Sequence, residues 1–95
     1  MNKLLISIII FLVNTTAYAT CKAPEPPVIP DPETTVTAEM VKAQNDVKAF
    51  LSAAERFLKC TKSTSRHNQM VDKMKNIGDD FNNTVKAYKT RMANA

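Results

Sequence analysis

The sequence has little of what catalytic sites most often use. Its 95 residues contain one glycine, one histidine and two cysteines. With Gly78 as the only glycine there is no glycine-rich phosphate loop, and with one histidine no Ser-His-Asp set can be assembled. The cysteines form no Cys-x-x-Cys pair and have no second histidine as a metal-ligand partner. We therefore predict that the protein is not an enzyme and binds no cofactor.

The N-terminal segment has the pattern of an export signal. Lys3 precedes an apolar run, Leu4 to Val13, and Ala17-Tyr18-Ala19 then gives the small-x-small form that signal peptidase accepts. The run is about ten residues, roughly half the length of a membrane-spanning helix. Lipoprotein processing at Cys21 fits poorly, because Thr20 stands where a small Gly or Ala is preferred. We predict a signal peptide over residues 1–19, cleavage after Ala19, and a periplasmic or secreted protein.

Two cysteines remain after this cleavage, in a chain of about 76 residues, a size at which a single core is marginally stable. In an oxidising compartment, Cys21 and Cys60 most economically form one disulfide. It would close a loop of about 40 residues and contribute about 4 kcal/mol in the chain-entropy model. A free thiol, an intermolecular bridge and a soft-metal pair are the less favoured alternatives.

The proline content divides the exported chain into an arm and a helical part. All five prolines lie within residues 20–36, which predicts an extended, polyproline-like arm. Val28 and Ile29 lie in its middle and are predicted to pack on an apolar surface. After the arm, Thr37 is a candidate N-cap for the first helix.

Two apolar stripes with steps of three and four residues predict two amphipathic helices, at about 38–60 and 66–92. Gly78 lies beside the second stripe, where close approach of another backbone is one explanation. The polar run between the helices predicts a short turn, and therefore an antiparallel pair. The first stripe is Met40, Ala43, Val47, Phe50, Ala54 and Phe57, and the second is His67, Met70, Met74, Ile77, Phe81, Thr84 and Tyr88.

The predicted fold is all-α. Residues 37–95 form a coiled-coil-like two-helix hairpin, and a disulfide tethers the extended proline-rich arm to it. Polyproline geometry, at about 3.1 Å per residue, makes the arm long enough to run back along the hairpin from Cys60. Val28 and Ile29 would then cover the groove between the helices as a third layer.

Several segments of the chain resemble a group of small secreted proteobacterial proteins. These segments are Cys21 with the prolines around 29–31, Phe57-Leu58-Lys59-Cys60, 67–72 (HNQMVD) and 81–89 (FNNTVKAYK). The chain departs from the group where Pro32 follows Asp31, a place where its members often have glycine. The resemblance covers nearly the whole exported chain. It implies a periplasmic or secreted disulfide-bonded helical hairpin and no activity.

Two sets of residues are candidate binding sites. Arg56, Lys59, Lys62 and Arg66 form a basic surface at the predicted turn, which could make weak contact with anionic lipid or glycan. His67, Met70 and Met74 share one helical face and could bind a soft metal ion. For the latter set, core packing is the favoured explanation, because methionine commonly fills core gaps.

Charge and composition limit the classes of partner. The exported chain carries 12 basic and 9 acidic residues, and no aromatic residues alternate with the basic ones, so we exclude nucleic acid. The long stripes favour a structural or protein-interaction module of the cell envelope, with an envelope protein or a second copy as its partner. The alternative is a small-ligand or surface binder, acting through the basic turn or the soft-metal set.

Overall fold

The computed structural model describes residues 21–95, and the predicted signal peptide lies outside this range. Helix α1 spans Thr37–Cys60 and helix α2 spans Thr64–Ala93. The two helices pack against each other as a hairpin. The described residues before α1 form an extended arm without helix or strand. The architecture is therefore the predicted one, with α2 starting two residues earlier than expected.

The core lies along the predicted stripe of α1. All six stripe residues of that helix are buried, and from α2 they meet mainly Met70 and Ile77. Six of these eight side chains form one continuous cluster, and Cys21 and Ile29 of the arm pack against it. The arm thus contributes to the core, as expected for a hairpin too thin to bury its apolar stripes with two helices alone.

The cluster consists of Val47, Phe50, Ala54, Phe57, Met70 and Ile77.

The starts of the two helices differ in how they are capped. Ser63 precedes α2, and its hydroxyl accepts a hydrogen bond from the Arg66 amide at 3.1 Å, which is the usual N-cap arrangement. Val36 occupies the same position before α1 and supplies no side-chain cap. The predicted N-cap, Thr37, is wrong, because Thr37 is already helical and its hydroxyl contacts the Tyr88 hydroxyl instead.

The arm ends in a tight turn that leads into α1. The amides of Thr34 and Thr35 donate to the Asp31 carbonyl at 3.2 and 3.0 Å. The Asp31 side chain accepts from the Glu33 amide at 2.9 Å. Aspartate at the first position and proline at the second suit such a turn, because Asp31 caps it and Pro32 presets its backbone. Glycine at position 32 is therefore not required for this turn.

Three residues depart from the sequence-based expectation. Val28 is 90% exposed, although Ile29 beside it packs on the core. Neighbouring side chains of an extended chain point in different directions, so only one of the two faces the helices. His67 is exposed despite its stripe position, because it lies in the first turn of α2. Apart from the neighbouring backbone of α2 itself, no atom of residues 21–95 lies within 4 Å of the position of a Cβ added at Gly78, so the close approach of another described segment does not explain this glycine.

Candidate functional site

The turn end of the hairpin carries the disulfide. Cys21 and Cys60 are bonded, with their Cα atoms 5.6 Å apart. This pairing confirms the intramolecular bridge and excludes the free thiol and the soft-metal pair in the described structure. Cys60 is the last residue of α1, so the bridge fastens the start of the arm beside the connection between the helices.

Two of the four residues of the predicted basic surface lie beside this disulfide. All four of its residues are exposed: Arg56, Lys59, Lys62 and Arg66. Lys62 and Arg66 line an open depression together with the two cysteines of the disulfide. The two ion pairs found within residues 21–95 lie elsewhere, between Lys42 and Asp46 and between Lys75 and Asp79. The cations of the turn therefore have no acidic partner among the described residues.

Each of the two ion pairs joins side chains four residues apart, about one helical turn. The hydrogen bond that Lys42 donates to the Asp46 carboxylate raises the pKa of Lys42, and the bond that Lys75 donates to the Asp79 carboxylate raises the pKa of Lys75 in the same way. The side chains of both lysines are exposed, so the pairs add little to stability. Asp79 is therefore a surface ion-pair partner of Lys75.

At the open end of the hairpin, a second contact, which the sequence did not suggest, holds the end of the arm against α2. Arg91 of α2 donates to the carbonyl oxygens of Glu33 at 2.6 Å and Thr35 at 2.5 Å. Its guanidinium also lies 5.5 Å from the centre of the Tyr88 ring. Thr35 is buried, and its hydroxyl donates to Glu39 at 2.8 Å. Arg91 therefore holds the turn at the end of the arm against α2 and is not part of a free basic surface.

The soft-metal candidates lie in different environments. Met70 is 2% exposed and belongs to the core cluster, while Met74 is half-buried and His67 is exposed. Binding by all three side chains would require Met70 to leave the core. Residues 21–95 contain no cluster of three or more His, Cys, Asp or Glu side chains that could hold a metal ion.

The arm covers only one side of the hairpin. Val28 and Pro30 lie beside Lys42 and Asp46 of α1, and Ala23 lies beside Gln69 and Lys73 of α2. These four helical residues mark the covered side. On the other side, a groove at the open end is lined by both helices and by no arm residue. It includes Val41, Gln44, Phe81, Val85 and Lys89.

Helical periodicity assigns further residues, between the groove and the turn, to this uncovered side. Residues seven apart lie on nearly the same face of a helix, so Gln44 of the groove shares its face with Leu51 and Leu58. Val85 likewise shares its face with Val71, Gly78 and Met92. On α1, Lys48 and Glu55 follow Val41 at the same spacing and are exposed. We call this side of the hairpin the open face. Its apolar residues are Val41, Leu51, Leu58, Val71, Gly78, Phe81, Val85 and Met92, of which Val41, Val71 and Met92 are the most exposed.

None of the described helices is both long enough and apolar enough to cross a membrane. Comparisons with protein-family models, curated proteins and solved structures gave no significant match. The resemblance to small secreted proteobacterial proteins therefore stays a prediction.

Proposed function

We propose that this protein is a non-catalytic protein-interaction module of the cell envelope, and that the open face is its binding surface. The observation that carries the proposal is the uneven covering of the hairpin. One side is covered by an arm fastened at both ends, whereas the other leaves valine and methionine side chains in solvent. Exposed apolar side chains grouped on one uncovered side of a protein are found at interaction sites.

The export of the protein is part of the same proposal. A disulfide between the only two cysteines is compatible with an oxidising compartment. We expect the mature protein to begin at Thr20, after cleavage following Ala19. Intact mass and N-terminal sequencing of the protein from a periplasmic extract check this, and a lipid-modified chain that starts at Cys21 would contradict it.

A pull-down from the envelope fraction, with paired variants, tests the interaction function. Val85→Glu places a charge on the open face, while Asn76→Glu places the same charge nine residues earlier in α2. That separation corresponds to about 180° around the helix, so the control lies on the opposite side of α2. The proposal predicts a bound protein, either foreign or a second copy, that Val85→Glu loses and Asn76→Glu retains. Equal recovery with both variants, or no partner with the unmodified protein, contradicts it.

The basic turn supports a second candidate function, contact with an anionic surface. Its four cations are exposed and have no ion-pair partner among the described residues, and nearby cations attract anionic headgroups. Co-sedimentation with phosphatidylglycerol vesicles at low salt tests this function. We expect binding that a Lys59→Gln, Lys62→Gln variant weakens and that neutral vesicles do not show. Equal sedimentation of both proteins would contradict a role for the turn.

A further inference from the structure

We infer that the outer surface of the proline-rich arm docks a partner protein, in a groove lined with aromatic side chains and bordered by basic ones. This surface lies on the covered side of the hairpin, so the inference goes beyond the proposed function and does not depend on the open face. Protein modules that bind proline-rich segments use aromatic-lined grooves, which fit the preformed polyproline conformation.

Exposure along the arm repeats every three residues. Four residues with this spacing are exposed, whereas all the others between positions 24 and 32 are half-buried. The polyproline conformation has three residues per turn, so residues three apart form one ridge along it. The repeat therefore indicates that the arm presents one ridge to solvent. We call it the outer ridge, and it consists of Lys22, Glu25, Val28 and Asp31.

The other two ridges of the arm differ in what they contact. The inward ridge contains Ile29, which packs on the core cluster of the hairpin. The third ridge consists of Pro24, Pro27 and Pro30, and all three are half-buried. Pro30 and Val28 line a depression together with residues of α1. A partner therefore reaches the outer ridge and the edge of the proline ridge without moving the arm from the core.

The outer ridge offers an apolar anchor on a segment that is already held in place. Val28 is 90% exposed, the largest fraction for a large apolar side chain among residues 21–95. The disulfide fixes the arm at one end, and Arg91 fixes it at the other. Binding therefore costs little conformational entropy, because the partner does not have to order the segment.

The backbone of the arm supplies hydrogen-bond acceptors to the same partner. No backbone–backbone hydrogen bond among residues 21–95 involves residues 22–30. Tryptophan and tyrosine side chains are aromatic and also carry an N–H or O–H donor, so they can contact Val28 and donate to the carbonyls beside it. This combination favours an aromatic groove over an aliphatic one.

Charge specifies the border of the groove. The arm carries three acidic side chains and one basic one, whereas the helices and their connection carry six acidic and eleven basic ones. Glu25 and Asp31 flank Val28 on the outer ridge, and Glu39 lines the depression beside it. None of these three acids forms an ion pair within the described chain. A complementary partner therefore carries basic residues at the border of its groove.

Site-specific photo-crosslinking of the full chain in its native cells tests the docking surface. A benzophenone amino acid replaces Val28 in one variant and Val41, an exposed valine of the open face, in the control. We expect the Val28 variant to form a covalent product with a foreign protein that the control does not form. Mass spectrometry should place the attachment in a region of the partner that combines tryptophan or tyrosine with arginine or lysine.

The purified partner then allows affinities to be compared. Val28→Ala removes two methyl groups from the contact and should weaken binding about tenfold. Glu25→Lys sets a like charge against the basic border and should also weaken binding about tenfold. Glu55→Lys makes the same change on the open face and should leave the affinity unchanged. All three residues are exposed, so circular dichroism should show the same helix content in each variant.

The outcomes distinguish this inference from the proposed function. If Val85→Glu removes a product formed at Val41 and leaves the product formed at Val28, both surfaces bind. If only the product at Val28 forms, the inference stands and the open face fails. The inference is contradicted by the absence of a product specific to Val28, by a product with a second copy of this chain, or by an attachment region without aromatic residues. An affinity that neither Val28→Ala nor Glu25→Lys lowers also contradicts it.

Discussion

The two sides of the hairpin differ in what lies above the helices. On the covered side, the arm adds Ile29 and the disulfide to the core and is fixed at both ends. On the open side, no residue of the described arm lines the groove between the helices, and Val41, Val71 and Met92 are exposed. The difference suggests that the inward ridge of the arm serves stability and that the open face serves binding.

The largest expected effect comes from removing the disulfide at the turn end. In a Cys21→Ser, Cys60→Ser variant, the unfolded chain is no longer restricted, and the free energy of unfolding should fall by about 4 kcal/mol. Urea denaturation followed by circular dichroism measures this. An unchanged midpoint would mean that the arm is only a tail and that the covered side needs no fastening.

Removing the fastening at the open end should have the next largest effect. Arg91→Ala leaves the Glu33 and Thr35 carbonyls without their charged donor, and we expect a loss of about 2 kcal/mol. Arg91→Lys should recover only part, because an ammonium group cannot reproduce the planar fork of the guanidinium. Lys86→Ala, an exposed cation on the same helix, is the control. If Arg91→Ala and Lys86→Ala cost the same, the fastening makes no contribution.

A matched pair in the middle of the arm tests whether the arm covers the core. Ile29→Ala should cost about 1.5 kcal/mol, because a half-buried aliphatic side chain is lost from the cluster. Val28→Ala should change stability by less than about 0.5 kcal/mol, since Val28 is exposed. The same urea experiment compares them, and equal costs would contradict the assignment of the inward side chain.

The smallest expected effect is a gain on the open side. In dilute, monomeric protein, Gly78→Ala should raise the free energy of unfolding by about 1 kcal/mol, because alanine favours helix and its Cβ meets no other atom. Thermal unfolding at low protein concentration measures this gain. A loss of stability would mean that the space above Gly78 is already filled in the monomer.

Local patterns in the sequence predicted most of the fold. The uninterrupted stripe of α1 gave its buried residues correctly, and the pairing of the only two cysteines followed from their number and the export signal. Periodicity assigns a face to each residue but does not show where the opposing layer ends. For that reason His67 was placed in the stripe although nothing covers it.

The fastening by Arg91 could not be predicted from the same patterns. Its partners are backbone carbonyls 58 and 56 residues away, and a backbone carbonyl has no signature in sequence. Arginine near the end of a helix is equally explained by the helix dipole, so the position of Arg91 in the sequence does not indicate this contact. The open face was also missed, because its recognition depends on knowing which side the arm covers.

The most direct test of this account is the accessibility of methyl groups to a soluble paramagnetic probe, measured by NMR in dilute solution. We predict that the probe enhances relaxation only weakly for the Ile29 methyls, which lie between the arm and the helices. It should enhance relaxation strongly for the methyls of Val28 and, on the open face, Val41. Fast relaxation at Ile29, equal to that at Val28, would show that the arm does not cover the hairpin and would contradict the distinction between its two sides.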